Sequence, residues 1–156
     1  MTSASPDMPV FTSFVNGAAL SPAGATLDLV DPATGHVWGR SHLDPAAVNR
    51  AVASASAAFA DATWQALTPA ERGVLLRRLG DLVQAHAEEI GRLESLANGK
   101  SHAATAAEFR ATALWYGYYA SAAEMLDHVH RPVTRTSDAT ILREGVGVVV
   151  AITPFN

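Results

Sequence analysis

The sequence predicts an α/β fold, and three observations carry that prediction. Short strand-like runs punctuated by Gly, Pro and Asn-Gly turns fill residues 12–38, and three apolar patterns at helical spacing follow between Asp44 and Met125. A valine-rich apolar run, Val146 to Ile152, comes after them. Helices that bury one face against strands of this kind are the ingredients of a layered α/β domain.

Residues 1–11 are small, polar and proline-containing, and are expected to form a flexible N-terminal arm. From Thr12 to Leu20 the pattern is a short hairpin, because Asn16-Gly17 supplies two positive-φ turn positions between Phe14-Val15 and Ala18-Ala19. Thr26 to Val30 is a second strand, Asp31 to Gly35 a turn, and Val37-Trp38 a resumption of extended chain. Together these predict a β-meander.

Asp44-Pro45 opens the first helix, Asp44 as the cap and Pro45 at the first helical position, where its missing N–H costs nothing. Val48, Ala51, Val52, Ala55 and Phe59 form its apolar face. Thr68-Pro69-Ala70-Glu71 is a capping box ahead of Leu75, Leu76, Leu79, Leu82 and Val83. Ile90, Leu93 and Leu96 continue the face, with a break expected near Gln84–Glu88 and an end at Asn98-Gly99. Ser101 starts an alanine-rich helix running through Trp115 and Tyr118 to Met125, with Pro132 as the stop. Strands follow: Val133–Glu144 half exposed, and Val146–Ile152 buried on both faces as in a parallel sheet. Such a strand needs neighbours, each reached by a crossover of a dozen or more residues, so the chain reads as incomplete.

Composition narrows the function. The 156 residues are 49% hydrophobic and 17% charged, with net charge −4 and no cysteine. Enough apolar material is present for a core, and no basic run points to nucleic acid. The first fifteen residues lack the basic start and apolar run of a secretory leader, and no stretch is long enough to span a bilayer. A cytoplasmic protein is expected, without disulfides, thiolate metal sites or a cysteine nucleophile in these residues.

The candidate motifs divide sharply. Asn98-Gly99-Lys100-Ser101 imitates the end of a phosphate loop, but Glu94 stands where the first glycine belongs, so a helix cap is preferred. Gly145-Val146-Gly147 precedes a strand and has Val150 in place of a third glycine, so it is not a dinucleotide fingerprint. His128 and His130, with Asp127, lack a third metal ligand and read as a solvated helix end. Trp115, Tyr116, Tyr118 and Tyr119 read as core packing, with the wall of a substrate tunnel as the alternative. Thr153-Pro154-Phe155-Asn156 follows the valine-rich strand, where open α/β sheets bind ligands. There Asn156 is either part of an ordinary turn or a donor to a developing oxyanion.

FVNGAAL, LVDPATGHVWG, DPAAVNRAVASASAAF, WQALTPAERGVLLRRLGDLV, LESLANGKS, WYGYYA and REGVGVVVAITPFN occur in that order. This succession, from about Phe14 to Asn156, resembles the aldehyde dehydrogenase superfamily. The resemblance implies the opening part of a Rossmann-like nicotinamide-dinucleotide domain over residues 12–131. It implies an oligomerisation arm over 132–143 and a return strand over 144–156. It sets Ile152, Thr153, Pro154 and Phe155 against NAD or NADP, and makes Asn156 the oxyanion donor. Thr112 and Trp115 become candidates for the substrate tunnel.

The implied partners are a small aldehyde and, in the full-length protein, further copies of itself. The implied chemistry is attack by a cysteine thiolate, hydride transfer to NAD(P) and glutamate-assisted hydrolysis to the acid. The family's cysteine, glutamate, cofactor-phosphate lysine and glycine-containing cofactor loop lie beyond the Asn156 motif, so these residues alone are expected to oxidise no aldehyde. An α-carboxylate on Asn156, with an ordinary pKa of about 3.3–3.7, would also oppose its role as donor. Two further departures stand out. Ala97 replaces an aspartate that in the family helps hold a monovalent cation with carbonyls near Leu29–Val30, and Gly145 replaces a proline. The alternative to a dehydrogenase fragment is a short non-catalytic interaction or oligomerisation protein. By itself the chain is expected to be aggregation-prone or partly molten.

Overall fold

A computed structural model describes residues 8–126 and 129–154. Val10–Phe11 (β1), expected within a loose arm, instead pairs parallel with Val37–Leu43 (β5), Val10 opposite Arg40. Phe14–Val15 (β2) and Ala18–Ala19 (β3) form the expected hairpin, with Asn16 at φ 54° and Gly17 at φ 77° in its turn. Ala25–Val30 (β4) runs antiparallel to β5, giving a mixed sheet of order β1-β5-β4.

The meander is therefore corrected: the hairpin stands apart as its own two-stranded pair. Its strands are two residues long, and Pro22 beyond them has no N–H with which to extend a ladder. Phe11 and Trp38 meet edge to face across β1 and β5, their centroids 5.7 Å apart.

The helices begin where their caps dictate. Asp44 accepts from the Ala46 N–H at 3.0 Å and starts Pro45–Ala60 (α1). Asp61 accepts from the Thr63 N–H and starts the single turn Ala62–Gln65 (α2). In Pro69–Ala85 (α3) the capping box closes both ways: Glu71 N–H donates to Thr68 Oγ1 at 3.3 Å, and Thr68 N–H donates to Glu71 Oε2 at 2.7 Å. A break at His86 leads to Ala87–Asn98 (α4), which ends on Gly99 in the left-handed region at φ 80°. His102–Glu124 (α5), capped by Ser101, stops well before Pro132.

Helices α3, α4 and α5 meet through small residues, with Leu75, Leu79 and Leu82 of the apolar pattern turned outward. Ala106, Ala113 and Ala120 of α5 are buried at seven-residue steps, and Gly73 and Gly80 of α3 oppose the last two in reverse order. A Cβ on Gly73 would lie 2.9 Å from the Ala120 carbonyl oxygen, and one on Gly80 3.1 Å from that of Ala113. On α4, Gly91 sits against Ala106, and buried Thr105 donates its hydroxyl to the Gly91 carbonyl at 2.7 Å. Small side chains let helix axes approach closely, so backbone meets backbone along this seam.

Much of the expected core consequently faces outward. Val48, Val52 and Phe59 of α1, and Leu75, Leu79 and Leu82 of α3, are exposed. So are Trp115, Tyr118 and Tyr119, which corrects their reading as core; the seam takes the alanine side of α5 and leaves the aromatic side outside. The chain presents 11852 Å² of accessible surface. A compact folded chain of 16.3 kDa would present about 7,500 Å². No helix among the described residues is long and apolar enough to cross a membrane.

Beyond α5, Val129–Thr134 (β6) and Ser137–Ile141 (β7) form an antiparallel hairpin that begins before Pro132. Residues 142–154 have no regular secondary structure, and Val149 and Val150 are each 72% exposed. The expectation of a strand buried on both faces is thus overturned. A strand exists only where a neighbour takes up its N–H and C=O groups, and no described sheet includes this segment.

Two outcomes follow for stability. Gly91→Ala gains about 1 kcal/mol in helix propensity, yet its methyl would lie 2.7 Å from the Ala106 nitrogen. The variant should be destabilised by about 1–3 kcal/mol in urea unfolding; an unchanged or raised midpoint would contradict the seam.

The Glu71 carboxyl is held below its ordinary range, chiefly by the Thr68 backbone N–H. A lowered folded value means its stabilisation is complete above the ordinary carboxylate range and lost as pH falls through that lowered value. Glu71→Gln should therefore flatten that part of the acid limb in a melting series, whereas superimposable limbs would contradict the cap.

Candidate functional site

The residues expected to carry chemistry are only partly within the described chain. Phe155 and Asn156 lie outside it, as do Asp127 and His128. Ile152, Thr153 and Pro154 are exposed in the irregular segment, Ile152 at 93%. Thr112 is half-buried on α5 and donates its hydroxyl to the Glu108 carbonyl at 2.8 Å, an intrahelical bond. Trp115, one turn further, packs edge to face on Tyr118 at 6.2 Å. His130 contacts Thr140 Oγ1 at 3.1 Å and lies 3.4 Å from Asp138, within an exposed hairpin. Among the described residues no three His, Cys, Asp or Glu side chains gather as metal ligands.

Glu144, Gly145 and residues 147–149 line clefts together with side chains of α1 and α2. A cleft of about 510 Å³ is lined by Phe59, Trp64, Gln65, Arg72, Glu144 and Gly145. Arg72 stacks over Trp64, its Cζ 5.5 Å from the ring centroid, while its buried Nε has no partner. Gly145 approaches so closely that a Cβ there would lie 2.8 Å from the Phe59 ring. The described clefts bring neither Thr112 nor Trp115 to residues 152–154.

A second cleft, about 390 Å³, lies where β1, β4 and β5 face α4. Its wall is mostly hydrocarbon: Phe11, Leu29, Val30, Trp38, Ile90, Leu93 and Ala97, with Asp28, Ser41 and Glu94 as the polar members. As members of one site, only Leu29, Val30 and Ala97 were signalled, by the resemblance. Phe11 and Trp38 arrive through the parallel β1–β5 pairing, which no local pattern announces.

Among the described residues, the two carboxyls held below their ordinary range, Asp61 by the Thr63 side chain and backbone and Glu71 by Thr68, both belong to helix caps. Neither marks a reacting centre. Ile152, Thr153 and Pro154, expected to touch the cofactor, stand open to solvent.

Comparison with known proteins supplies what the geometry does not. The family model described as the aldehyde dehydrogenase family matches residues 20–156. The chain is 38% identical over 153 residues to (Z)-2-((N-methylformamido)methylene)-5-hydroxybutyrolactone dehydrogenase of Acinetobacter baylyi, covering 96% of this chain and 31% of that protein. It is 37% identical over 151 residues to betaine aldehyde dehydrogenase of Cereibacter sphaeroides, covering 95% and 31%. The crystal structure of NAD-dependent aldehyde dehydrogenase from Sinorhizobium meliloti matches with a TM-score of 0.73 at 31% identity, covering 83% of this chain and 27% of that one. The chain thus spans under a third of the length of these relatives.

Proposed function

Because the chain belongs to the aldehyde dehydrogenase family, we propose that it is the opening part of the cofactor-binding domain of an NAD(P)-dependent aldehyde dehydrogenase. The observation that carries this reading is the extent of the family match, which runs through residue 156 and so includes the whole Ile152–Asn156 stretch. The substrate would be an aldehyde and the product its carboxylic acid. The nicotinamide cofactor, when bound, supplies the hydride acceptor.

In this reading Ile152, Thr153, Pro154 and Phe155 lie along the cofactor, and the Asn156 side-chain N–H donates to the aldehyde oxygen as it gains negative charge. A donor pre-placed at such an oxygen is typically worth about 10²–10³ in rate. Thr112 and Trp115 are proposed for the substrate tunnel; the exposure of Trp115 leaves it available to further packing. The arm over residues 132–143, most of which lies in the β6–β7 hairpin, is proposed for contacts between copies, supported by the exposure of all its residues.

The 156 residues contain no cysteine. On the implied thiolate mechanism they have no nucleophile, and we propose that they are inactive alone. The same fact, with the uncovered apolar faces, favours the second reading: a non-catalytic interaction module built on this family's fold.

The reading frame after the Asn156 codon separates the two. Continuation into a glycine-flanked cysteine supports the dehydrogenase, and a stop codon supports the module. On the first reading the complete gene product should reduce NAD(P) with an aldehyde present, and Asn156→Ala should lower kcat about 10²–10³-fold. Turnover by the 156-residue chain itself would overturn its proposed inactivity, and an N156A variant with unchanged kcat would overturn the role given to Asn156.

A further inference from the structure

The family resemblance brings one more expectation, a monovalent cation held between a carboxylate at position 97 and carbonyls near Leu29–Val30, and the walls of the cleft at that place do not fit it. Ala97 contributes a methyl group there. Ile90 and Leu93 precede it on the same side of α4, and Phe11, Leu29 and Val30 face them from the sheet.

Both carboxylates in the lining accept a hydrogen bond within the protein. Asp28 Oδ1 accepts from Arg40 Nε at 2.9 Å, and Glu94 Oε1 accepts from Asn98 Nδ2 at 2.7 Å. The orphaned buried atom of the wall residue Trp38 is its indole Nε1, a donor that has nothing to offer a cation. Moving a cation from water into such surroundings costs free energy that only closely placed oxygens or a counter-charge can return.

We propose that this protein holds no monovalent cation in the cleft between β4–β5 and α4, because Ala97 sets a methyl group where the carboxylate ligand would stand, in a wall that is mostly hydrocarbon. Its folded state is then indifferent to which alkali cation is present.

The test is the melting temperature of the complete gene product in KCl, NaCl and choline chloride, each at about 100 mM so that screening is equal. The expected result for the native sequence is one melting temperature in all three salts. Ala97→Asp restores the carboxylate and should raise the melting temperature by about 2–4 °C in KCl or NaCl relative to choline chloride.

A saturable rise with KCl or NaCl in the native protein would overturn the proposal, and its disappearance in Glu94→Gln would then identify Glu94 as the ligand. A folded A97D variant that stays indifferent would equally overturn the role given to Ala97. Melting is read without turnover, so this outcome and the fate of the dehydrogenase assignment are independent.

Discussion

Backbone-to-backbone approach along the alanine side of α5 is the constraint from which the rest of the described structure follows. Ala106, Ala113 and Ala120 recur at intervals of two helical turns, and α3 answers with Gly73 and Gly80 at the same interval in the opposite direction. The break at His86 ends one helix and redirects the next, so that Gly91 can meet the remaining alanine. Thr105 then fastens the crossing through its hydroxyl, the one polar side chain fully buried there. The ion pairs at the periphery, Arg77–Glu124 and Lys100–Glu108, are exposed or half-exposed and weak by comparison.

This arrangement has a consequence for everything outside the seam. Helices joined through glycine and alanine bury little side-chain volume against each other, and they turn leucine, valine and aromatic faces away. In a finished domain such faces are covered by sheets or by other helices. Here they remain as surface, which is why the accessible area exceeds that of a compact chain by more than half. The irregular course of residues 142–154 has the same origin. Val148, Val149 and Val150 form a strand only when a neighbour accepts their hydrogen bonds, and β-branched side chains cannot supply that neighbour. The functional proposal and the fold are thus connected: a segment that would present an asparagine to substrate depends on a sheet to hold it.

Local chemistry made some of this legible in the sequence. The Asn16-Gly17 turn, the Asp44 and Thr68–Glu71 caps, the break near Gln84–Glu88 and the Gly99 terminus were all foreseeable, because each is decided within a few residues by backbone geometry. The β1–β5 pairing was not, since it joins residues thirty positions apart that carry no shared local signal. The seam was missed for a different reason. Periodicity arguments weigh large apolar residues, so Leu75, Leu79 and Leu82 drew attention while the nearby Gly73 and Gly80 did not. Counting glycine and alanine at seven-residue steps on α3 and α5 would have found it. For the candidate site, Leu29, Val30 and Ala97 could be named from the family pattern, whereas the hydrocarbon character of the whole cleft emerged only when Phe11, Trp38 and α4 were brought together.

Amide hydrogen exchange on the 156-residue chain tests the central claim most directly, because it separates packed from unpacked backbone residue by residue. Helix α5 around Ala106, Ala113 and Ala120, with the α3 and α4 turns opposite, should be the slowest to exchange, and residues 146–152 should exchange as freely as an unfolded peptide. Strong protection of Val146–Ile152 together with rapid exchange along α5 would show that the valine segment, and not the small-residue seam, organises this chain.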